Sequence, residues 1–428
     1  MKQLMVGVGQ EIITPKLGTL LMGYTPMRPA LGVHDDLHVT AFAFATDGVQ
    51  ALYLAADLCN MYYPEEEIRT QIQKATGVPK DHIVISCTHT HSGPHTGKTE
   101  DGPCYIEEIF IPQACKAAAT AVAGLKPAQM GIGTTYSDVG VNRRVIREDG
   151  TMTHGQDPDG TWDPTMTVIA FREPDGTPIG NIIQYGCHNT ASSKNDDVTR
   201  DWCGVAIDRL QQQSGGITAF INGCGGDCGP RLPNGKTTGN LQMAMELGGK
   251  AAIDAVRAWR SIRRWRNAPL KVVAGKIDLP LKDIGTAELA LEQAASLGDP
   301  QKLQGPTLSM YNRLLERAEY LRQGNIPPKF QTVTRTVIAL GPLAFMPLPF
   351  EPFSMVTLRI KKHSPFPYTV VPGYSNGALS YFPSLDQLGR GGYEVKLFCH
   401  IRLIPFAEDA EQHLVDGCLK LLRQLYEQ

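Results

Sequence analysis

The first ninety residues alternate between apolar runs and polar turns in a pattern that predicts strands around a helix. Residues 37–58 form two apolar runs joined at Asp47-Gly48, which predicts two strands connected by a tight turn. The acidic segment that follows predicts a helix between Pro64 and Gly77, because proline suits a first helical turn and glycine commonly ends a helix. A buried strand at 82–87 comes next. This strand–helix–strand order is typical of α/β proteins.

The remaining pattern extends the same architecture along the chain. Helical spacing is present at 105–124, 203–213, 240–259, 286–297, 308–323, directly after Glu351 and at 407–426. Strand-like runs are present at 129–135, at 165–187, where a pair is expected to turn at Asp175-Gly176, at 219–223, near 270–279 and near 330–347. We therefore predict an α/β fold in which helices flank a mixed β-sheet core. No repeat or linker divides the sequence, so residues 1–428 are expected to form a single domain with a helical excursion at about 283–328.

Composition narrows the classes of function. The chain has 41 basic and 43 acidic residues, a formal net charge of −2, which gives no reason to expect a nucleic-acid or anionic-membrane partner. It has no uncharged apolar stretch of about 18 residues and no apolar run typical of a signal peptide, so we expect no transmembrane segment. The ten cysteines are scattered, which favours reduced thiols and the cytoplasm.

The strongest local signal for chemistry is a histidine-rich segment, residues 88–95, directly after the strand at 82–87. Because side chains alternate along a strand, His89 and His91 are expected to project from the same face. Two neutral imidazoles placed together suit metal binding or proton transfer. The alternative is an exposed loop that merely contains several histidines.

Two further residues follow apolar strands. His188 comes after the run at 182–187, where a lone histidine also occurs as a satisfied structural residue. Glu351 lies between prolines and precedes a predicted helix, where a capping carboxylate is the alternative. Together with His89 they have the composition of a catalytic zinc site with two histidines, one carboxylate and an open position.

With these residues in place, the sequence resembles the neutral/alkaline non-lysosomal ceramidase family. The resemblance is carried by the His-Thr-His-Ser-Gly-Pro segment at 89–94, by His188 and by the Pro-Phe-Glu-Pro segment around Glu351, in this order. The opening segments at 6–15 and 32–37 also resemble the corresponding segments of the family. The resemblance therefore runs from about residue 5 to the C-terminus. It implies the fold of the family's catalytic domain, and we expect the chain to lack the immunoglobulin-like domain of larger ceramidases.

The resemblance implies roles for seven residues. His89, His188, Glu351 and Tyr381 would bind Zn²⁺, whereas His91, Arg143 and Tyr393 would act on the substrate. Tyr393-Glu394 lies twelve residues beyond Tyr381, as in the family, which supports this register. Without the resemblance, ordinary core packing would be the expected role of either tyrosine.

One position departs from the family. Ceramidases have a serine implicated in catalysis where this chain has Gly229, in the segment Gly226-Asp227-Cys228-Gly229-Pro230. Cys228 is adjacent, but an offset of one residue in a tight loop directs a side chain elsewhere. A metal site at Cys224 and Cys228 is weakly supported, because two thiols without a second pair rarely suffice. A glycine-rich loop packed near the active site is the plainer interpretation.

These residues predict a zinc-dependent hydrolase that cleaves a linear amide (N-acyl) bond of a small-molecule or lipid-like substrate. Zinc would activate water, Tyr393, Arg143 or the metal itself would stabilise the oxyanion, and His91 would transfer a proton to the leaving amine. Asp57 and Asp36 are candidates for orienting the histidines. The alternatives are an esterase or lactonase that uses the same site, and an inactive homologue that binds a metal or another ligand.

Overall fold

The strands and helices of a computed structural model, which describes residues 3–99, 102 and 104–428, follow the predicted order closely. The strands are β1 (Met5–Ile12), β2 (Leu20–Leu21), β3 (Arg28–Pro29), β4 (Gly32–Val33), β5 (His38–Thr46), β6 (Val49–Ala56), β7 (Ile83–Cys87), β8 (Lys126–Pro127), β9 (Gln129–Tyr136), β10 (Gly140–Ile146), β11 (Met152–Asp157), β12 (Thr165–Arg172), β13 (Pro178–Tyr185), β14 (Asp197–Val198), β15 (Ile217–Asn222), β16 (Cys228–Pro230), β17 (Trp265–Arg266), β18 (Leu270–Pro280), β19 (Phe330–Leu340), β20 (Leu343–Phe345), β21 (Glu351–Pro352), β22 (Tyr368–Val370) and β23 (Tyr381–Phe382).

The helices match most of the predicted positions. They are α1 (Glu65–Thr76), α2 (Ile111–Ala123), α3 (Asp201–Ser214), α4 (Leu241–Arg260), α5 (Ala287–Ser296), α6 (Gly305–Arg322), α7 (Ser354–His363), α8 (Leu385–Leu388), α9 (Tyr393–Lys396) and α10 (Ala410–Glu427). Helix α1 ends as predicted at Gly77, which has a left-handed φ of 76°. A π-helical segment, Ile106–Phe110, leads into α2 and replaces the predicted α-helical start near 105.

Two five-stranded sheets form the centre of the fold. The first has the order β7-β6-β5-β1-β8 and the second has the order β15-β13-β12-β9-β17. In each sheet one edge pair is parallel, β6 with β7 and β13 with β15, while the remaining pairs are antiparallel. A four-stranded sheet, β18-β19-β20-β22, adds the C-terminal part of the chain. The prediction of an α/β fold with a mixed core is therefore confirmed.

Alternating side chains explain how the layers pack. On β5, Phe42 and Phe44 face a buried cluster shared by the three large sheets, while Ala41 and Ala43 face a second cluster with α1 and α2. The outer face of the second sheet packs in the same way on α3 and α4. The result is a helix–sheet–sheet–helix arrangement. Close contact between β1 and α2 requires small side chains, since a Cβ added at Gly7 would lie 2.0 Å from the carbonyl oxygen of Ala121.

The predicted excursion at 283–328 contains α5 and α6, which pack on each other through a small alanine-rich cluster. The organisation of residues 1–428 as a single domain stays a prediction. All ten cysteines are free thiols. Among the described residues, no helix combines the length and apolar character that a membrane span requires.

Candidate functional site

Three of the predicted metal ligands meet at one point in the interior. The Nε2 atoms of His89 and His188 each lie 3.4 Å from the Oε2 atom of Glu351. His89 is 1% exposed and His188 is fully buried, and of these two imidazoles His89 lines the adjoining cavity. The donor atoms of the three residues lie within 4.8 Å of one another, which fits their binding one ion together.

The backbone brings the three residues together at the ends of strands. His89 follows β7, His188 follows β13, and the loops after these strands are joined by a parallel bridge between Thr90 and Asn189. The prediction that strand alternation places His89 and His91 on one face is wrong, because β7 ends at Cys87 and His89 has a φ of 70°. The loop nevertheless places the Nε2 atoms of the two histidines 3.1 Å apart.

Hydrogen bonds fix the tautomers of both metal-site histidines. The Nδ1 atom of His89 donates to the carbonyl oxygen of Cys59 at 2.8 Å, and that of His188 donates to the carbonyl of Gly225 at 2.7 Å. Burial lowers the pKa of His89, and burial together with Arg143 lowers the pKa of His188 to about 3. Both rings are therefore neutral near pH 7, with Nε2 lone pairs available to a metal.

The carboxylate of Glu351 completes this arrangement. Its Oε1 atom accepts a hydrogen bond from Nδ2 of Asn60 at 3.0 Å, whereas its Oε2 atom is buried and has no hydrogen-bond partner among the described residues. Burial opposes ionisation, but as pH falls the protonated forms of His89 and His188 outweigh it and hold the pKa of Glu351 below its ordinary value, so the carboxylate is ionised near pH 7. An ionised oxygen without a donor, facing two imidazole lone pairs, is what a divalent cation would satisfy. The residues present therefore fit a zinc ion.

Tyr381 supplies a fourth donor atom beside these three. Its hydroxyl lies 3.3 Å from Nε2 of His188 and accepts a hydrogen bond from Nη2 of Arg143 at 3.1 Å. The strand pair β21–β23 explains the position, because it sets Glu351 directly opposite Tyr381 in parallel register. Burial raises the pKa of Tyr381 well above its ordinary value, so the hydroxyl is protonated unless a cation binds it.

A buried ion network holds Arg143 in place. Glu394 is fully buried and its carboxylate contacts Arg143 at 3.1 Å, Arg144 at 2.6 Å and His154 at 2.9 Å. Burial opposes the ionisation of Glu394, but Arg143 and its other partners keep its pKa below the ordinary value. Because this carboxylate pairs with the buried guanidinium groups of both Arg143 and Arg144, it fixes the direction in which Arg143 reaches Tyr381.

His91 and Tyr393 lie on the side of the site that faces the cavity. The Nδ1 atom of His91 is buried without a hydrogen-bond partner in the described part of the chain, and Tyr24 packs edge-on against its ring at 5.1 Å. Burial, followed by the nearby His89, lowers the pKa of His91 well below its ordinary value. Tyr393 is 44% exposed and packs edge-on against Tyr381 at 5.8 Å. Both side chains line the cavity, so both can reach a bound substrate.

The cavity has a volume of about 1560 Å³ and opens onto six of the seven predicted residues, whereas the fully buried His188 lies behind its lining. Its lining includes His89, His91, Arg143, Glu351, Tyr381 and Tyr393. A pocket larger than about 1000 Å³ exceeds the usual range for small ligands, so an extended substrate fits here.

The predicted roles of Asp57 and Asp36 in orienting the histidines are wrong. The carboxylate of Asp57 accepts from the backbone N–H of His38 at 2.9 Å, and that of Asp36 accepts from the hydroxyl of Thr14 at 2.7 Å. Backbone carbonyls of loops orient the histidines instead, and carbonyls are present at every residue, so sequence carries no signal for them.

Gly229 has no room for a side chain. A Cβ at this position would lie 2.7 Å from the Cβ of Thr237, which itself lines the cavity. Cys228 is buried beside Gly140 and does not line the cavity, and neither it nor Cys224 belongs to a group of metal donors among the described residues. The plainer interpretation of this loop, a glycine-rich segment packed against the site, agrees with this geometry.

Three residues of the site were missed by sequence reasoning. Asn60 lies in the loop a few residues after β6 ends at Ala56, so a polar side chain just beyond a strand end was an available signal. Tyr374 stacks on the ring of His89 at 4.1 Å, and Cys59 forms a second group of donors with His89 and His91. Neither residue lies in a recognisable motif.

Comparisons with known proteins agree with the geometry. A family model described as neutral/alkaline non-lysosomal ceramidase, N-terminal, matches residues 4–243. The neutral ceramidase of Pseudomonas aeruginosa is 23% identical over 252 residues, which cover 53% of this chain and 37% of that protein. Neutral ceramidase A of Dictyostelium discoideum is 27% identical over 211 residues, covering 45% of this chain and 29% of that protein. The chain thus spans about a third of the length of the curated relatives it matches.

Solved structures share the fold over the whole chain. The crystal structure of neutral ceramidase from Pseudomonas aeruginosa matches with a TM-score of 0.74 at 19% identity, covering 100% of this chain and 75% of that one. A ceramidase complexed with C2 matches with the same TM-score at 17% identity. Because the family model covers more than half of the sequence, this chain belongs to the neutral/alkaline non-lysosomal ceramidase family.

Proposed function

We propose that this chain is a zinc-dependent hydrolase that cleaves a linear amide (N-acyl) bond. The observation that carries the proposal is the ionised, unpartnered Oε2 atom of Glu351 facing the Nε2 atoms of His89 and His188. With the hydroxyl of Tyr381, these atoms would hold the ion. Zinc bound by such a set supplies Lewis acidity and lowers the pKa of a bound water toward about 7.

The other residues of the site divide the remaining work. His91 faces the cavity as a neutral imidazole, so it can accept a proton from the attacking water and pass it to the leaving amine. Arg143, held by Glu394, and the exposed hydroxyl of Tyr393 would stabilise the negative charge that develops on the carbonyl oxygen. Gly229 offers no nucleophile, which favours direct attack by water over an acyl-enzyme.

A decisive experiment measures metal content and hydrolysis on the same preparations. We would purify the wild type, His89→Ala and Glu351→Gln without added metal, with His363→Ala as the control because His363 is exposed on α7, away from the cavity. The proposal expects about one zinc per chain in the wild type and control, with loss in the other two variants. It also expects amide hydrolysis that follows the zinc content.

Two other outcomes would redirect the interpretation. Zinc-dependent cleavage of ester or lactone analogues without cleavage of the matching amides would favour an esterase or lactonase built on this site. A wild type that contains no zinc and cannot be reloaded would overturn the proposal and favour an inactive homologue that binds a ligand in the cavity.

A further inference from the structure

One wall of the cavity is positively charged and is built by the helical excursion. Ser309 and Arg313 of α6 line this wall together with the segment 402–404. Arg317, one turn further along α6, donates hydrogen bonds to the carbonyl oxygens of Arg402 and Leu403 at 2.8 and 2.6 Å. These hydrogen bonds fix the segment 402–404 against α6, so Arg313 and Arg402 belong to one surface.

Arg402 is a half-buried cation without a carboxylate partner in the described part of the chain. Its guanidinium donates to the carbonyl of Leu379 at 3.0 Å and to the side chain of Gln331, and it lies 4.3 Å above the ring of Phe406. Its Nε atom is buried and has no hydrogen-bond partner among the described residues. Burial lowers the pKa of Arg402 to about 10, and no acidic residue counters this effect.

Arg313 repeats the same feature on α6. Its Nε atom is also buried without a hydrogen-bond partner in the described ranges. Among the described residues its one ion pair joins it to Glu316 of the same helix, and the two side chains are 35% and 54% exposed. An exposed pair of this kind contributes little, so Arg313 remains available to a ligand.

The acidic residues of the cavity do not neutralise this wall. Among the described residues, the carboxylates that line the cavity are those of Glu351 and Glu394. Glu351 faces the two histidines, and Glu394 forms an ion pair with Arg143. Partial burial of Arg402 without a carboxylate partner among the described residues costs free energy, which an anion brought by a ligand would recover. A planar guanidinium matches the paired oxygens of a carboxylate, sulfate or phosphate.

We infer that Arg313 and Arg402 form a subsite for an oxyanion, so that the preferred substrate is an N-acyl compound with an anionic group a short linker away from the scissile bond. Leu379, which holds Arg402, lies two residues before Tyr381, and two residues of extended chain span roughly 7 Å. Arg313 and Arg402 also line the same cavity as Glu351 and Tyr381, so one molecule bound in that cavity can contact both. The inference rests on the proposed function for the bond that is cleaved, but not for the binding of the anion.

The test compares matched amides on the purified full chain. We would measure kcat/KM for hexanoyl anilide and for the same anilide with a carboxylate, sulfonate or phosphonate at the far end of the acyl chain. N-hexanoylglycine would place the carboxylate on the amine side instead. The inference expects at least one anionic substrate to be preferred over its neutral counterpart by roughly 10- to 100-fold, as expected for hydrogen bonds to a charged group.

Variants assign the preference to the wall. Arg313→Gln and Arg402→Lys are expected to raise KM for the anionic substrate by about tenfold or more while the neutral substrate changes little. Arg209→Gln is the matched control, since Arg209 is exposed on α3 and does not line the cavity. Arg402→Lys keeps the charge, so a loss confined to the anionic substrate, with turnover of the neutral substrate unchanged, reports the guanidinium geometry rather than failure to fold.

Calorimetric titration with adipate, a dicarboxylate that cannot be hydrolysed, separates the two proposals. Adipate binding that weakens in Arg313→Gln and Arg402→Lys supports the subsite even if no amide is cleaved, in which case only the proposed function fails. Amide hydrolysis that is indifferent to the anion and unchanged in both variants would overturn the subsite and leave the hydrolase proposal standing.

Discussion

The contact between Gly229 and Thr237 predicts that even a methyl group at residue 229 destabilises the protein. A Cβ there would lie 2.7 Å from the Cβ and 2.8 Å from the Cγ2 of Thr237. Contacts of real Cβ atoms are essentially never shorter than 3.0 Å. Gly229 does not have a positive φ, so its backbone conformation would accept alanine. The penalty of Gly229→Ala is therefore steric, and overpacking of this kind costs about 1–3 kcal/mol of the free energy of unfolding.

Substitutions of Thr237, the other residue of the contact, test whether the clash itself causes the loss of stability. Thr237→Ala retains the Cβ at 2.7 Å and should relieve little of the clash, whereas Thr237→Gly removes every atom that interferes. In a double-mutant cycle, Gly229→Ala and Thr237→Gly should therefore couple favourably by about 1–3 kcal/mol. Gly229→Ser, which installs the residue type found in ceramidases, should behave in the same way.

Urea-induced unfolding followed by circular dichroism measures these free energies. The four proteins of the cycle should be compared in the presence of a chelator, because bound metal would add its own stabilisation. If Gly229→Ala unfolds at the same urea concentration as the wild type, or if the double variant is strictly additive, then the contact does not restrict residue 229.

Three further predictions concern the network around the site. Asn60→Ala removes the donor to Glu351 and should weaken zinc binding roughly 10- to 100-fold in a chelator competition, so an unchanged affinity would contradict the role of Asn60. Glu394→Gln leaves the buried guanidinium of Arg143 without its counter-charge and should cost about 3–5 kcal/mol in urea unfolding, while a smaller loss than that of an exposed glutamate variant would refute this. Burial raises the pKa of Asp227 from 3.8 to about 6, so the folded chain binds this proton more tightly than the unfolded chain. Ionisation therefore costs stability as pH rises from about 4 to about 6, by roughly 3 kcal/mol, and Asp227→Asn should abolish that part of the pH dependence measured by urea unfolding.

Local signals in the sequence predicted the elements that have strong turn chemistry. The strand pair β5–β6 turns at Asp47-Gly48 and β12–β13 turns at Asp175-Gly176, as the patterns indicated. The hairpin β10–β11, which carries Arg143, was missed although Asp149-Gly150 marks its turn. Its strand contains consecutive polar residues that are buried in the site, so the alternation typical of a strand is absent.

The site itself was only partly accessible to sequence reasoning. Histidines at strand ends are visible in the sequence, and they directed attention to His89 and His188 before any resemblance was considered. Tyr381 was assigned only through the family, because β23 has two residues and no periodicity. The two arginines of the cavity wall had no signal in the sequence, since a buried Nε atom without a hydrogen-bond partner becomes recognisable only when its neighbours are known.

The glycine-rich loop between β15 and β16 explains how ligands from distant parts of the chain form one centre. The family match at 4–243 includes His89 and His188, whereas Glu351 lies more than a hundred residues beyond it. Within the loop, the carbonyl of Gly225 orients His188, and the N–H of the next residue donates to the carbonyl of Pro352, directly after Glu351. The carboxylate of Asp227 then accepts the backbone N–H at the start of α7 at 2.7 Å. A single loop therefore fixes a histidine from one half of the chain and the carboxylate from the other. Residues beyond the family-model match, which ends at residue 243, are thus required for the complete donor set.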